Sequence, residues 1–372
     1  MKKLFIIVNH DWFFLSHRKN VAVAAKKEGW DVTIVTKNTG QFGEIQALGL
    51  KTLNLPIDAT GMNLWQEWKT FYYLLKLYCK NKDAVVHHVG LKTILWGGLA
   101  AKIVGVKGVV NAVSGLGVMF SGGKCSFVAR DILQVLRYSH RRKNVYEIFQ
   151  NHEDEALLYK FKVSKPETSV YIKGSGVDMN EFVYVPEPES EVLKVMFAAR
   201  MVKEKGFGNL IEAAEMLREE YEGKVQFLLC GKLSDNPKAI KKEELEAMCD
   251  GHYIQWLGHR DDVRELLQQS HIVAFPSYYR EGVPKSLIEA AAVGRPIITC
   301  NSIGCKDVVD DGVNGFLIKP KDSKMLAEKL KILIEDKELR VKLGRASREK
   351  AEKEFSIEDV TRKHLNLYAS MC

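Results

Sequence analysis

The sequence predicts an α/β protein built from two doubly wound domains in tandem, facing one another across a cleft. Three observations predict it: a length of 372 residues, a strand–helix alternation through the first half, and a restart of that alternation after a proline-rich break. A chain of this length divides naturally into two domains, each able to bury its own core. With 46% apolar residues, six Trp, 28 Gly and nine Pro, the composition excludes disordered, collagen-like and linker-like chains.

In the first half, Lys3–Val8, Asp31–Thr36, Thr52–Ile57, Ala84–Val89, Val109–Ser114 and Tyr146–Gln150 are short, rich in Val and Ile, and bounded by polar residues or Gly, as buried strands are. Between them, His17–Glu28, Leu64–Cys79 and Thr93–Val104 carry apolar residues at three- and four-residue intervals, the helical period. Gly29 is placed to cap the first of these. Strands alternating with helices imply a parallel sheet covered on both faces. Pro186-Glu187-Pro188-Glu189-Ser190 then opposes both helix and central strand.

After that break, strands recur at Lys194–Ala199, Val225–Cys230, Ile254–Leu257, Ile272–Pro276, Pro296–Thr299 and Gly315–Ile318, separated by helices such as Gly208–Glu220 and Asp261–Gln269. From Asp322 onward the chain reads as charged helix, ending in Ser356–Met371. The expected domains are therefore 1–185, a linker 186–193, 194–355, and a closing helix 356–372. In open parallel sheets, ligands bind beyond the carboxyl ends of the strands.

Seven widely spaced Cys without a C-x-x-C pair argue against a zinc framework or disulfide scaffold and for a reducing compartment. The apolar run Leu4–Val8 ends at Asn9-His10-Asp11, too short for a secretory signal. The stretch Leu95–Phe120 is broken by Lys102, Lys107 and several Gly, which opposes a membrane span. A cytoplasmic protein is expected. The net charge of +8 is uneven: residues 1–185 carry 25 Lys/Arg against 15 Asp/Glu, and the remainder 30 against 32. A basic half facing an anionic partner fits nucleic acid, lipid headgroups or a phosphorylated substrate, and also a plain solvated surface.

The richest motif is Tyr279-Arg280-Glu281-Gly282-Val283-Pro284-Lys285-Ser286-Leu287-Ile288-Glu289-Ala290, which follows a strand and opens a helix. Pro284 suits a first helical turn, and Gly282 permits close approach of a ligand. The N–H groups of Val283, Lys285 and Ser286 then form an anion-binding helix start. Glu281 and Glu289 can face one extended ligand at separate points. The competing reading is a capped surface helix with two solvated carboxylates. Arg200 ends the strand Lys194–Ala199 and Lys205 follows five residues later, two cations suited to a diphosphate or to a solvated loop. Gly231 and Gly258-His259-Arg260 place further backbone at strand ends.

These segments resemble the nucleotide-sugar domain of retaining glycosyltransferases of the GT-B fold, glycosyltransferase family 4. The resemblance rests on A-A-R-M-V-K-E-K-G, W-L-G-H-R-D-D-V, P-S-Y-Y-R-E-G-V-P-K-S-L-I-E-A-A-A-V-G-R-P-I-I and V-V-D-D-G-V-N-G-F-L, which run in order from Lys194 to Pro320. It implies two Rossmann-like domains, with the closing helix crossing back to the first. It further implies that Glu281 contacts donor-sugar hydroxyls and Glu289 the ribose. Arg200 and Lys205 would hold the donor diphosphate as leaving group. Gly282–Ser286 would cradle the phosphates, with His259 and Arg260 near the base; Gly231, at a strand end, offers backbone on which a base or ribose could rest. The sequence contains no D-x-D, so cations and a helix dipole rather than a bound metal are expected to neutralise the diphosphate, with no cofactor.

In the first half, Asn9-His10-Asp11-Trp12-Phe13-Phe14-Leu15-Ser16-His17-Arg18 resembles the matching turn of bacterial transferases acting on undecaprenyl-diphosphate-linked sugars. His17 or Arg18 would touch the acceptor and the aromatics would meet lipid, unless they belong to the core. Many of these relatives carry a His in the loop that here reads Ser114-Gly115-Leu116-Gly117-Val118, so His88 becomes the substitute candidate. The expected partners are a UDP-sugar, a lipid-linked saccharide and an anionic membrane surface, without nucleic acid. Two rivals remain at this point. A nicotinamide oxidoreductase lacks its G-x-G-x-x-G at the first turn, and a basic nucleic-acid binder predicts salt-sensitive binding.

Overall fold

The computed structural model describes residues 2–58, 63–116, 127–233 and 239–372. The chain divides into two compact units: residues 1–176 joined by 357–372, and residues 177–356.

The first unit is built on strands β1 (Lys3–His10), β2 (Asp31–Lys37), β3 (Lys51–Asn54), β4 (Val85–Val89), β5 (Gly108–Val113), β6 (Val145–Phe149) and β7 (Ser169–Tyr171). They form one sheet in the order β3-β2-β1-β4-β5-β6-β7, parallel throughout. The order reverses between β1 and β4, which makes their carboxyl ends the topological switch point. Helices cover both faces, and the central strands β4 and β5 are buried along their whole length, hence their near-continuous apolar runs. The helix Ile357–Ala369 packs on this unit, with Val360, Leu367 and Tyr368 in the same core cluster as Leu4 and Ile6.

The helix expected over 17–28 is interrupted. It runs as Asp11–His17 and Lys19–Lys27, with Arg18 between them at φ −131°. Arg18 is buried, and burial pulls its guanidinium down to about 10 despite the opposing influence of Tyr368.

A polar chain crosses the middle of this otherwise apolar sheet. His88, Asn111 and Glu147 occupy matched positions on β4, β5 and β6. Tyr78 Oη donates to His88 Nε2 (2.8 Å), and His88 Nδ1 donates to Asn111 Oδ1 (2.8 Å). Asn111 Nδ2 donates to His140 Nε2 (3.1 Å), and His140 Nδ1 donates to the Leu136 carbonyl (2.6 Å). Glu147 lies 3.3 Å from His140 Nε2 and accepts from Thr168 (2.8 Å). Burial drives His88 and His140 each down to about 4 and Glu147 up to about 8, so the chain is made of neutral groups. The Tyr78, His88, Asn111 and His140 donors each meet an acceptor, which is what allows such a chain inside a core.

The pH dependence follows. Unfolded histidines bind protons below about pH 6.5, whereas His88 and His140 in the fold do not until about 4, so stability falls as pH drops through that window. Glu147 acts oppositely. Its folded pKa is raised, so its contribution is lost as pH rises from the unfolded carboxyl range through about 8. Denaturant unfolding of the first unit is expected to be most favourable to the fold near pH 6.5. Glu147→Gln should flatten the alkaline decline, and an unaltered decline in that variant would show that Glu147 is ionised in the fold.

The second unit carries β8 (Leu193–Ala198), β9 (Val225–Cys230), β10 (Ile254–Trp256), β11 (Ile272–Phe275), β12 (Ile297–Cys300) and β13 (Gly315–Ile318). All pairs are parallel, in the order β10-β9-β8-β11-β12-β13, with the switch point between β8 and β11.

The expected boundary at 185 and linker at 186–193 are both corrected. Residues 177–193 belong to the second unit and are pinned to it. Glu187 forms a two-pronged ion pair with Arg340 (2.7 and 2.9 Å), Arg295 donates to the Pro186 carbonyl (3.4 Å), and Arg348 donates to the Phe182 carbonyl (2.7 Å). Prolines and acids read as a solvated tether, but three arginines from distant parts of the chain convert the segment into a strap.

Candidate functional site

Residues following β8 and β11 come together at the switch point of the second unit. After β8 the chain passes Arg200 and turns through a short 3-10 segment, Lys203–Lys205. After β11 it runs Pro276-Ser277-Tyr278-Tyr279 towards Glu281. Tyr278 N–H donates to the Glu204 carbonyl (3.0 Å), tying the two loops. Gly206 (φ 82°) is what lets them touch: a Cβ there would meet the Pro276 carbonyl oxygen at 2.1 Å. Gly231, at the end of β9, presses as closely on the end of β8, since a Cβ would lie 1.7 Å from the Ala199 carbonyl oxygen.

The result is a paired ammonium and carboxylate. Lys205 Nζ donates to both oxygens of Glu281, at 2.5 and 2.7 Å. Both side chains are mostly sheltered from solvent. Lys205 also lies over the rings of Phe275 (5.2 Å) and Tyr279 (5.8 Å), so aromatic faces add to its stabilisation. Ser277, fully buried, donates to Glu281 Oε1 (3.3 Å) and accepts at its carbonyl from Ser302 (2.7 Å). Arg200 is exposed at the same rim, and its charge reaches Tyr279: burial raises the Tyr279 hydroxyl and Arg200 opposes that rise.

The helix Lys285–Ala292 starts beside this pair, with Pro284 as its N-cap rather than in its first turn. Gly282, Val283 and Pro284 are buried, and Lys285 and Ser286 are half-buried. The first N–H groups bonded to Pro284 are those of Leu287 and Ile288 (3.2 and 3.3 Å), so the N–H groups of Lys285 and Ser286 precede the ladder. Glu289 sits one turn beyond Lys285, which approaches it at 3.0 Å. Burial raises the Glu289 carboxyl, and the Lys285 charge offsets part of that rise.

Gly231 N–H donates to the Gly258 carbonyl (2.8 Å), which places the β9 and β10 ends side by side. His259 and Arg260 follow at the surface, where Arg260 pairs with Asp262 (2.5 and 2.7 Å) and His259 lies 3.5 Å from Asp261. The roles of Ser277, Phe275 and Tyr279 were not legible in the sequence, although Ser277 and Tyr279 stand inside the quoted P-S-Y-Y-R-E-G stretch.

Among the described residues, one group of His and acidic side chains is spaced to hold a metal, Glu222, Asp250 and His252. It is exposed at the opposite, amino edge of the sheet, and Arg218 already pairs with both carboxylates (2.9 and 2.7 Å).

In the first unit, the switch point holds Asn9 and His10 at the carboxyl end of β1, with Asp11 following. Burial alone would raise the Asp11 carboxyl. Bonds from the Thr39 hydroxyl and from the N–H groups of Thr39 (2.6 Å), Gln41 (3.0 Å) and Trp12 (2.8 Å) outweigh it and hold the group below its usual range. Half-buried His17 stacks on Phe13, with ring centroids 4.1 Å apart.

His88 requires correction as an acceptor contact. It lies within β4 and is fully buried, with both ring nitrogens bonded and Gly97 leaving room for its ring. Arg18 is likewise buried, its charge felt by His87, His364 and Tyr368 rather than presented to solvent. Gly117 and Val118 of the glycine-rich loop lie outside the described residues.

Comparison with known proteins bears on the whole arrangement. Residues 3–146 match the family model described as glycosyl transferase 4-like, and residues 180–350 match glycosyl transferases group 1. A Campylobacter jejuni protein, N,N'-diacetylbacillosaminyl-diphospho-undecaprenol alpha-1,3-N-acetylgalactosaminyltransferase, is 27% identical over 95% of this chain and 97% of its own. The Escherichia coli UDP-Gal:alpha-D-GlcNAc-diphosphoundecaprenol alpha-1,3-galactosyltransferase is 23% identical over 92% and 90%. Among solved structures, Anabaena Alr3699/HepE in complex with UDP superposes with a TM-score of 0.78 at 17% identity, over the full length of both chains. WaaG, a glycosyltransferase of lipopolysaccharide biosynthesis, superposes at 0.75 and 15%, over 98% of this chain and 99% of its own. These matches set aside the hydride-transfer reading. With its 4-like first unit and group 1 second unit, the chain belongs to the glycosyltransferases of the GT-B fold.

Proposed function

We propose that the protein moves a sugar from a UDP-sugar to a saccharide carried on a lipid diphosphate, with retention of configuration, at the inner face of the cell membrane. The observation that carries this reading is the Lys205–Glu281 pair at the β8/β11 switch point, with Arg200 on the same rim and the start of the helix Lys285–Ala292 beside it. An ammonium group has three N–H donors. Two engage Glu281, and the third serves a phosphate oxygen of the donor. Arg200 and the N–H groups of Lys285 and Ser286 neutralise the remaining charge as the UDP leaves, which makes stabilisation of the leaving group electrostatic and independent of metal. Glu281 then orders the donor sugar through its hydroxyls, and Glu289 meets the ribose. His259, Arg260 and Gly231 border the base.

The names of the Campylobacter and E. coli relatives support the lipid-diphosphate acceptor. The UDP complex of the Anabaena protein supports the donor class. Nucleic acid has no part in this reading. Among the described residues no helix is long and apolar enough to cross a membrane, so membrane association in this reading is peripheral.

Calorimetric titration with UDP in the presence of a chelator tests the donor site. Wild-type protein is expected to bind, and Lys205→Ala to bind about tenfold or more weakly, the loss of one charge-assisted contact. Equal affinity in the two proteins would remove Lys205 from the diphosphate site, and loss of wild-type binding on chelation would show that a metal is required.

A further inference from the structure

The helix Leu64–Cys79 turns the wrong kind of surface outward. Its buried face is Thr70, Leu74 and Tyr78, at four-residue spacing against the first unit's core. An ordinary surface helix would carry polar side chains opposite these positions. Here Leu64 is 84% exposed, Trp65 65%, Trp68 51% and Tyr72 55%. Four of the twelve large apolar side chains exposed among the described residues thus fall within nine consecutive positions.

The other exposed side chains of the stripe are Lys69, Lys76, Cys79 and Lys80, with Lys69 Nζ lying 5.8 Å from the Trp65 ring centroid. The helix's one acid, Glu67, is turned away from the stripe and tied to Lys92 (2.5 Å) and to the Trp96 indole. The stripe therefore offers aromatic and cationic groups and no anion.

This patch is also well built. Asn63 caps the helix by accepting from Trp65 N–H (3.0 Å). Trp68 packs against Phe71 and Tyr72, and Phe71 continues to Trp96. The Pro56 carbonyl accepts from Gln66 (3.0 Å) and Thr70 (2.5 Å), which fixes the aromatic end of the helix at the carboxyl edge of the sheet. That edge is where a parallel sheet receives its ligand.

We propose that the outer face of Leu64–Lys80 lies in the interface of an anionic bilayer, with Leu64, Trp65, Trp68 and Tyr72 among the headgroups and upper acyl chains and Lys69, Lys76 and Lys80 paired with lipid phosphates. Trp and Tyr are the side chains that settle at a membrane–water boundary, and neighbouring lysines add attraction that depends on anionic lipid. The proposal rests on the lipid-linked acceptor reading and names the surface that brings the chain to it.

The test is flotation of the full chain with phosphatidylcholine vesicles, with and without phosphatidylglycerol. Wild-type protein should float with the anionic vesicles. The Trp65→Ser/Trp68→Ser/Tyr72→Ser variant should partition at least tenfold less, and Lys69→Glu/Lys76→Glu should lose its preference for anionic lipid. UDP titration of both variants should match wild type, because the donor groups lie on the second unit. Equal flotation of wild type and the aromatic variant overturns the proposal. So does a dimer in sedimentation velocity that the aromatic variant dissociates, since the face would then belong to a second copy. Transfer to a detergent-dissolved lipid-diphosphate saccharide separates the two readings. Transfer with unchanged flotation of the variant removes only this surface, whereas flotation that depends on the aromatics without transfer removes only the acceptor reading.

Discussion

Replacing Glu281 with Gln is expected to lower the transfer rate by about 10²–10³-fold while the protein still folds. The side chain sits where two demands meet. Its oxygens hold Lys205 at 2.5 and 2.7 Å, and Ser277 fixes one of them from the buried side. In the proposed mechanism the same carboxylate orders the donor sugar, so the charge on Glu281 positions both the reacting carbon and the cation that receives the departing phosphate. Gln keeps the shape and loses the charge. Lys205 would then be free to swing towards the aromatic faces of Phe275 and Tyr279 or to overbind the diphosphate. Because the pair is mostly sheltered, its loss should also lower stability, by about 1–3 kcal/mol.

The double variant Glu281→Gln/Lys205→Ala is the sharper measurement. If the two act as a unit, its kcat should fall little below that of the worse single variant. Near-wild-type turnover in Glu281→Gln would end the assignment, and strictly multiplicative losses would show that the 2.5 Å contact has no part in the reaction.

Much of this architecture could be read from residue order. Strands β1, β8 and β11 are buried from both sides over residues 4–8, 195–198 and 272–275, so each shows a short apolar run, and their alternation with helices announces parallel sheets. Strand β7 escaped notice because its three residues are half-buried and carry little pattern. In the site, the eight-residue spacing of Glu281 and Glu289 is local and visible. The meeting of Lys205 with Glu281 is not, because it joins positions 76 apart through a loop contact between Tyr278 and Glu204. His88 misled for a related reason. A histidine pair at a strand end resembles a reactive edge, and only the positions of Tyr78 and Asn111 on neighbouring elements reveal that its nitrogens are already used.

The strap at 177–193 makes the same point for stability, and it carries the largest expected effect on the fold. Glu187→Ala should destabilise the second unit by about 3–5 kcal/mol. Glu187 and Arg340 are only 8% and 7% exposed, and they meet through two parallel bonds of 2.7 and 2.9 Å. Arg340 is further fixed by the carbonyls of Leu333 (2.6 Å) and Ile334 (2.9 Å), so it cannot follow its lost partner into solvent without breaking the end of a helix. Removing the acid therefore leaves a buried guanidinium without a counter-charge, which costs far more than the pair contributes over an apolar equivalent. Glu187→Leu/Arg340→Met should accordingly recover most of the loss. The strap runs along the amino edge of the sheet, where Arg295 joins Pro186 to the Leu267 and Gln268 carbonyls ahead of β11. The donor groups lie on the opposite edge, so UDP affinity of the folded Glu187→Ala protein should equal that of wild type. Urea unfolding shifted by less than about 1 kcal/mol would place this pair with ordinary surface ion pairs and return 186–193 to the role of a loose tether.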